Sequence, residues 1–435
     1  MNLLLIIYAL SGSILFLLGF PFFLIYALVT GKYREGLINR LGWYRREVGP
    51  KAKGTLRIWV HAASVGEVSA SVPVIRELVG DLPEADIILS TTTVYGQEAA
   101  QKALGDTVNC VFAPVDFVAA VFLAVQTVKP DILVFVETEI WPNWLFMAHL
   151  HGIRTIMVNG RISIRSVKGY QKIRPLIGPA LDTMAAFSMI REQDAVRLKS
   201  LGVPAEKIEV NGNTKYDRLA GMATPETKRT MAALYSLAGD EPVLVAGSLR
   251  SGEEVLMLDA FVSVRKRVPD LVCIIAPRHM NRAERIAARA MALGVEVQMR
   301  SGLRTAGNSR QAPLVILDTL GELQATYGVA SVVFCGGSLV PLGGQNVLEA
   351  AAWGKPVLFG PSMEDFQTEK ELLIESGGGI EVSGPEDLVK RILFYLSNPE
   401  EADRAGRAGR AAVHANVGAA RKHVDVILRF VGGRA

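Results

Sequence analysis

Fourteen short apolar runs alternate with Gly-bearing turns and longer amphipathic stretches, and this rhythm limits what the chain can fold into. Seven runs fall in the first half: 56–62, 86–90, 109–114, 132–137, 154–160, 185–190 and 207–212. Seven more follow at 242–248, 271–277, 295–299, 313–318, 331–337, 355–360 and 379–383. They are rich in β-branched residues and rarely alternate polar with apolar, as strands do when helices cover both faces of a parallel sheet. Fourteen strands exceed one ordinary sheet, and 435 residues suit two or three domains. The polar helical stretch 224–240 is the natural divider. The expected fold is α/β, with two Rossmann-like domains facing each other across a cleft.

The first thirty residues carry no charged side chain, and 3–30 are long enough to cross a bilayer. Residues 31–57 then carry eight bases (Lys32, Arg34, Arg40, Arg45, Arg46, Lys51, Lys53, Arg57) against Glu35 and Glu47. Bases after an apolar span place the following chain on the cytoplasmic side. Residues 1–30 are therefore expected to anchor the protein to a membrane. The anchor either crosses once or forms a hairpin turned at Gly19-Phe20-Pro21. The whole chain is only +4, so its basicity is local to this end. That argues against nucleic acid as a partner, which needs a basic face on the folded body. Cys110, Cys273 and Cys335 lie in or beside apolar runs and read as buried thiols, not a disulfide framework.

The first strand of each half runs into a serine and then Gly-Glu: VHAASVGE (60–67) and VAGSLRSGE (245–253). Each sets a small-residue turn at the carboxyl end of a strand, the edge where open α/β sheets bind ligands. Gly247–Gly252 has Walker spacing, but Glu253 and Glu254 stand where Lys and Ser/Thr are required, so it is no phosphate loop. There is no Asp-x-Asp, and His149 and His151 stand alone, so no catalytic metal is expected.

Cys335-Gly336-Gly337-Ser338, followed by Gly343-Gly344-Gln345-Asn346 and then Val347-Leu348-Glu349, reads as strand, flexible loop and helix start near Asn346. Its glycines would let backbone amides approach a ligand, and the helix start would favour a phosphate. Arg278 ends another strand and can pair with a phosphate or carboxylate. Asp318-Thr319-Leu320-Gly321-Glu322 ends a third, where exposed backbone groups can read a base edge. In the first half Glu67 suits a general base, although an acid in a first helical turn also serves the dipole. Glu137 and Glu139 stand two apart, and in an extended chain they cannot face the same way. Arg161, Arg165, Lys168, Lys172 and Arg174 form an acid-free basic run, either a solvated helix face or a phosphate trap.

The stretches VHAASVGEV, ETEIWPNW, NGRISIRSVKGY, GNTKYD, APRH, DTLGEL and CGGSLVPLGGQNVLEAA, in this order, resemble the 3-deoxy-D-manno-oct-2-ulosonic acid (Kdo) transferases of lipopolysaccharide synthesis. The resemblance implies a GT-B fold. Its domains would be a membrane anchor at 1–30, an acceptor domain at 31–223 and a CMP-Kdo-binding domain at 224–435, with a final helix returning to the first domain. It implies inverting, metal-independent transfer of Kdo from CMP-Kdo to lipid IVA, with no cofactor, on the cytoplasmic face of the bacterial inner membrane. By the same resemblance Glu67 is the catalytic base, and Glu139 or Glu137 and Lys215 support the transition state. Pro277, Arg278, Leu320, Gly321, Glu322, Asn346, Val347, Leu348 and Glu349 contact CMP, and Arg161, Arg165 and Lys168 meet acceptor phosphates. Gln345 departs from the family's pattern, which has His there; Gln keeps hydrogen bonding but carries no charge.

Overall fold

In the computed structural model, residues 3–30, 35–44, 47–239, 241–250, 252–304 and 309–432 are described. Lys32, Arg34, Arg45 and Arg46 of the expected basic run lie outside them, as does Ser251 of the Walker-spaced segment. The chain forms two compact units: Met1–Arg218 with Val417–Ala435, and Leu219–Asn416.

The first unit is built on seven strands: β1 Arg57–His61, β2 Asp86–Thr91, β3 Asn109–Phe112, β4 Ile132–Val136, β5 Arg154–Gly160, β6 Ala186–Met189 and β7 Ile208–Val210. All pair in parallel, in the order β3-β2-β1-β4-β5-β6-β7. The second unit repeats the plan with β8 Val243–Leu249, β9 Val272–Pro277, β10 Val297–Met299, β11 Leu314–Ile316, β12 Val332–Cys335, β13 Val357–Phe359 and β14 Gly379–Glu381. Their order is β10-β11-β9-β8-β12-β13-β14, again parallel throughout. Every apolar run read from the sequence is a strand.

The central strands are buried on both faces, which is why their sequences do not alternate. Residues 57–61 of β1 are all buried. Ile58 and Val60 pack into one layer of core, and Trp59 into the other, against Trp144 at 4.8 Å between ring centroids. Each such side chain contributes about 1.5–3 kcal/mol of burial. Polar groups of neighbouring strands serve one another in this core. The Trp59 indole donates to the Ser90 hydroxyl at 2.8 Å, and Ser90 also meets His61 at 3.0 Å.

The apolar N-terminal segment forms one helix, Leu3–Thr30, unbroken through Pro21, so no hairpin forms there. It is long and apolar enough to cross a membrane. Its first half also lies against the first unit. The Tyr8 hydroxyl donates to Asp116 at 3.0 Å, and the Phe16 ring stacks on Phe117 at 4.3 Å between centroids. Other side chains stay bare: Leu15 and Phe22 are each 74% exposed and Val29 is 80% exposed.

The chain's last helix, Ala419–Leu428, packs into the first unit. Asp217 caps its start, accepting from the amides of Gly418 at 2.8 Å and Ala420 at 3.3 Å. Inside the core, the Ser188 hydroxyl meets His423 Nδ1 at 2.6 Å, and His423 Nε2 meets the Gly212 carbonyl at 3.1 Å. A carbonyl only accepts, so the proton sits on Nε2 and the Ser188 hydroxyl donates to Nδ1.

Candidate active site

In the first sheet β2 and β3 lie to one side of β1, while β4 and its successors lie to the other. The carboxyl ends of β1 and β4 therefore flank the point where strand order reverses, the place where such sheets bind ligands. Glu67 follows β1, and Glu137 and Glu139 follow β4.

Glu67 is set by a helix start. Ser64 caps the helix Val65–Asp81, and the Glu67 carboxylate reaches back, one oxygen accepting from the Ala63 amide at 2.6 Å and the other from the Ser64 hydroxyl at 2.9 Å. This is a variant of the capping box. Burial drives the carboxyl up to about 7; the charge of Glu139 and, less strongly, Glu137 adds to this, against the pull of the Ala63 and Ser64 hydrogen bonds.

The sequence argument that Glu137 and Glu139 must diverge assumes an extended chain, and the chain here is not extended. Glu137 has φ of 60°, a left-handed conformation uncommon outside glycine and concentrated at functional sites. The turn brings both acids within electrostatic reach of Glu67. Glu137 is itself raised by burial and pulled back by Arg161 and Lys215. Glu139 is raised by burial, held down by the Trp141 indole that donates to it at 2.5 Å, and raised further by Glu137. Tyr170 joins the group: burial, then the Glu139 charge, lifts its hydroxyl. Sequence reasoning missed Trp141 and Tyr170, although both lie within motifs it singled out.

The backbone just before Lys215 is held by Asn159, also missed. Asn159 sits buried at the end of β5 with φ of 51° and accepts from the Thr214 amide at 3.0 Å. Thr214 in turn donates its hydroxyl to the Ala70 carbonyl at 2.8 Å. Arg161, exposed after the same strand, is near enough to Glu137 to pull its carboxyl down. Arg165 and Lys168 stand exposed on the next helix, Ile164–Lys172.

The second sheet reverses its order between β8 and β12. Here the structure corrects one expectation. The amides of Gly337, Ser338 and Leu339 are not open to a ligand, because the buried Glu253 carboxylate fills them at 2.5, 2.9 and 2.9 Å and also accepts from the Arg250 amide at 3.0 Å. A second expectation changes as well. The helix expected near Asn346 is the short Leu348–Ala351, and Asn346 accepts from the Leu348 amide at 3.2 Å. That one amide of the helix start is therefore already occupied. Val347 and Leu348 are buried, while Asn346 and Glu349 are half-buried and face one another at 3.5 Å.

The remaining predicted donor residues gather at the same carboxyl edge. Pro277 closes β9, and Arg278 beyond it is exposed, its amide tied to the Leu249 carbonyl at 2.8 Å. Leu320, Gly321 and Glu322 follow β11, with Leu320 79% exposed. Among the described residues no group of three or more His, Cys, Asp or Glu is arranged to hold a metal ion.

A family model described as 3-deoxy-D-manno-octulosonic-acid transferase (kdotransferase) matches residues 35–218. A 3-deoxy-D-manno-octulosonic acid transferase of Haemophilus influenzae is 32% identical over 406 residues, covering 92% of each chain. The chain belongs to the Kdo transferase family. A second transferase of this name, from Bordetella pertussis, is 28% identical over 387 residues, 86% of this chain and 87% of its own. Among solved structures, the UDP-GlcNAc 2-epimerase of Neisseria meningitidis superposes with a TM-score of 0.60 at 13% identity, over 86% of this chain and all of its own. That likeness concerns the fold alone, which is GT-B. As a Kdo transferase the protein is a glycosyltransferase, and its carboxylate group is to be read against that chemistry.

Proposed function

We propose that this Kdo transferase moves Kdo from CMP-Kdo to lipid IVA in lipopolysaccharide synthesis, with inversion at the anomeric carbon and Glu67 as general base. An acceptor hydroxyl oxygen attacks the anomeric carbon, the bond from that carbon to the CMP phosphate breaks, and the hydroxyl proton passes to Glu67. A single displacement of this kind inverts the centre. The observation that carries this reading is the Glu67 carboxyl itself, oriented by Ala63 and Ser64 and brought to about 7. A base poised near the working pH is half deprotonated and still takes up a proton readily. Lys215 and Arg161 offset the charge of Glu137, and we assign Glu137, Glu139 and Lys215 to support of the transition state.

In the second unit, Pro277, Arg278, Leu320–Glu322 and Asn346–Glu349 are assigned to CMP. Arg278, exposed at its strand end, suits the charge that grows on the departing phosphate, so the protein's own donors can stabilise the leaving group. Arg161, Arg165 and Lys168, all exposed, are assigned to the acceptor's phosphates. The helix Leu3–Thr30 is assigned to the inner membrane, with the catalytic units on the cytoplasmic side.

The test is product mass. Purified protein given CMP-Kdo and lipid IVA is expected to yield lipid heavier by one or more Kdo units, and Glu67→Gln none. Wild-type protein that binds CMP and leaves lipid IVA unchanged would sink the acceptor assignment.

A further inference from the structure

The carboxyl edge of the second sheet holds two residues that act through their neighbours. After β10 the chain enters Arg300-Ser301. Arg300 is 3% exposed, and its Nη2 donates to one oxygen of Glu322 at 3.0 Å. Ser301 donates twice to Asp318, from its amide at 2.8 Å and its hydroxyl at 2.5 Å. Two consecutive residues thus grip both ends of the turn Asp318–Glu322. Between the grips, Thr319 donates to the other Glu322 oxygen at 2.5 Å, Gly321 takes φ of 82°, and Leu320 stands 79% exposed. The middle of the turn faces solvent while its ends are fixed.

Burying a guanidinium is unfavourable unless its pairing is good, and an apolar side chain of similar shape is often the more stable choice. Arg300 is not well saturated: its Nε and Nη1 are buried with no well-formed hydrogen bond, although the Tyr235 hydroxyl lies beside the guanidinium. The pair with Glu322 is its one ion pair among the described residues. Stability of the core alone is a poor reason for such a residue; holding the turn is a better one.

We propose that Arg300 and Ser301 are positioning residues for donor recognition. They preorganise the turn 318–322 so that the backbone groups of Leu320 and Gly321 meet the cytosine edge of CMP. Neither residue touches the nucleotide. The inference rests on the assignment of this turn to CMP. A turn already held in its binding shape loses less conformational freedom when the ligand arrives. Loosening it therefore weakens nucleotide binding and leaves proton transfer at Glu67 and acceptor binding alone.

The experiment is a calorimetric titration of the full-length protein with CMP and with UMP, alongside steady-state kinetics, for wild type, Arg300→Met, Arg300→Lys and Ser301→Ala. Arg300→Met is expected to weaken CMP about tenfold and to reduce the preference for CMP over UMP. Ser301→Ala is expected to weaken CMP about threefold. Arg300→Lys restores part of the loss, because an ammonium still pairs with Glu322. KM for CMP-Kdo rises in step, while kcat and the acceptor KM stay within about twofold. Variants that bind CMP with wild-type affinity and selectivity overturn the proposal. Wild-type protein that binds no CMP overturns the donor assignment and this proposal with it. If Arg300→Met does not fold, Ser301→Ala, at an exposed position, carries the test.

Discussion

Glu67 and Glu253 hold the same station in the two sheets. Each follows the strand at which its sheet reverses order, in the first turn of the next helix, and each turns a carboxylate oxygen back to an earlier backbone amide, Ala63 or Arg250. They differ in what the rest of the carboxylate meets. Glu253 is 1% exposed and closed in by three more amides. Glu67 is half-buried, and its neighbours are acids. One geometry thus yields a structural brace in one unit and a titratable group in the other.

Removing the base while keeping the shape separates chemistry from binding. Glu67→Gln is expected to cut the transfer rate by about 10²–10⁴-fold, with CMP titrating as in wild type. Lipid product quantified by mass spectrometry, with calorimetry beside it, checks both halves.

The acidic limb of kcat/KM belongs to the free enzyme's base. It is expected near pH 7, where Glu67 loses its proton. Glu139→Gln removes the larger of the two carboxylate charges acting on Glu67, so the limb moves to lower pH; Glu137→Gln moves it less. A limb that stays in place in Glu139→Gln contradicts the assignment.

The same carboxyl leaves a mark on stability. Its folded value, about 7, lies above the ordinary 4.5, so the folded state holds the proton more tightly. The contribution of Glu67 to stability is therefore greatest below pH 4.5 and declines as pH climbs to 7. With allowance for its partial exposure, the decline due to Glu67 is about 1–2 kcal/mol. Thermal melts between pH 5 and 8 should show Glu67→Gln gaining on wild type as pH rises.

His423 acts at the other end of the scale. Burial presses it down to about 4 from 6.5, so its neutral ring is favoured in the fold. Its contribution is present above pH 6.5 and is lost as pH falls toward 4, by about 3 kcal/mol. His423→Gln should flatten wild-type acid sensitivity in that window. Ser188→Ala, which strands the ring nitrogen it serves, should cost about 1–3 kcal/mol at neutral pH by chemical denaturation.

Deleting residues 1–30 is expected to abolish flotation with anionic lipid vesicles while CMP binding persists. Flotation that survives the deletion would place the membrane contact on the folded body instead.

All fourteen strands were legible because parallel strands covered on both faces must be continuously apolar, and β-branched runs such as 132–137 have few other uses. The positions of Glu67, Glu137 and Glu139 at strand ends were legible for the same reason. What the sequence hid were conformations that pattern reading cannot reach. The left-handed turn at Glu137 carries no glycine to announce it. The filling of the Gly337–Leu339 amides by Glu253 pairs residues 84 to 86 positions apart. Arg300 and Ser301 were passed over because neither belongs to a motif, and their importance lies in the turn they hold.

Asp217 and Gly418 stand 201 residues apart in sequence and one hydrogen bond apart in space. The second unit is thus a guest spliced into a host, leaving and re-entering through a single gateway. A short artificial bridge in place of 219–416 should let the host close on itself, whereas trimming the chain's final stretch would damage the host and spare the guest.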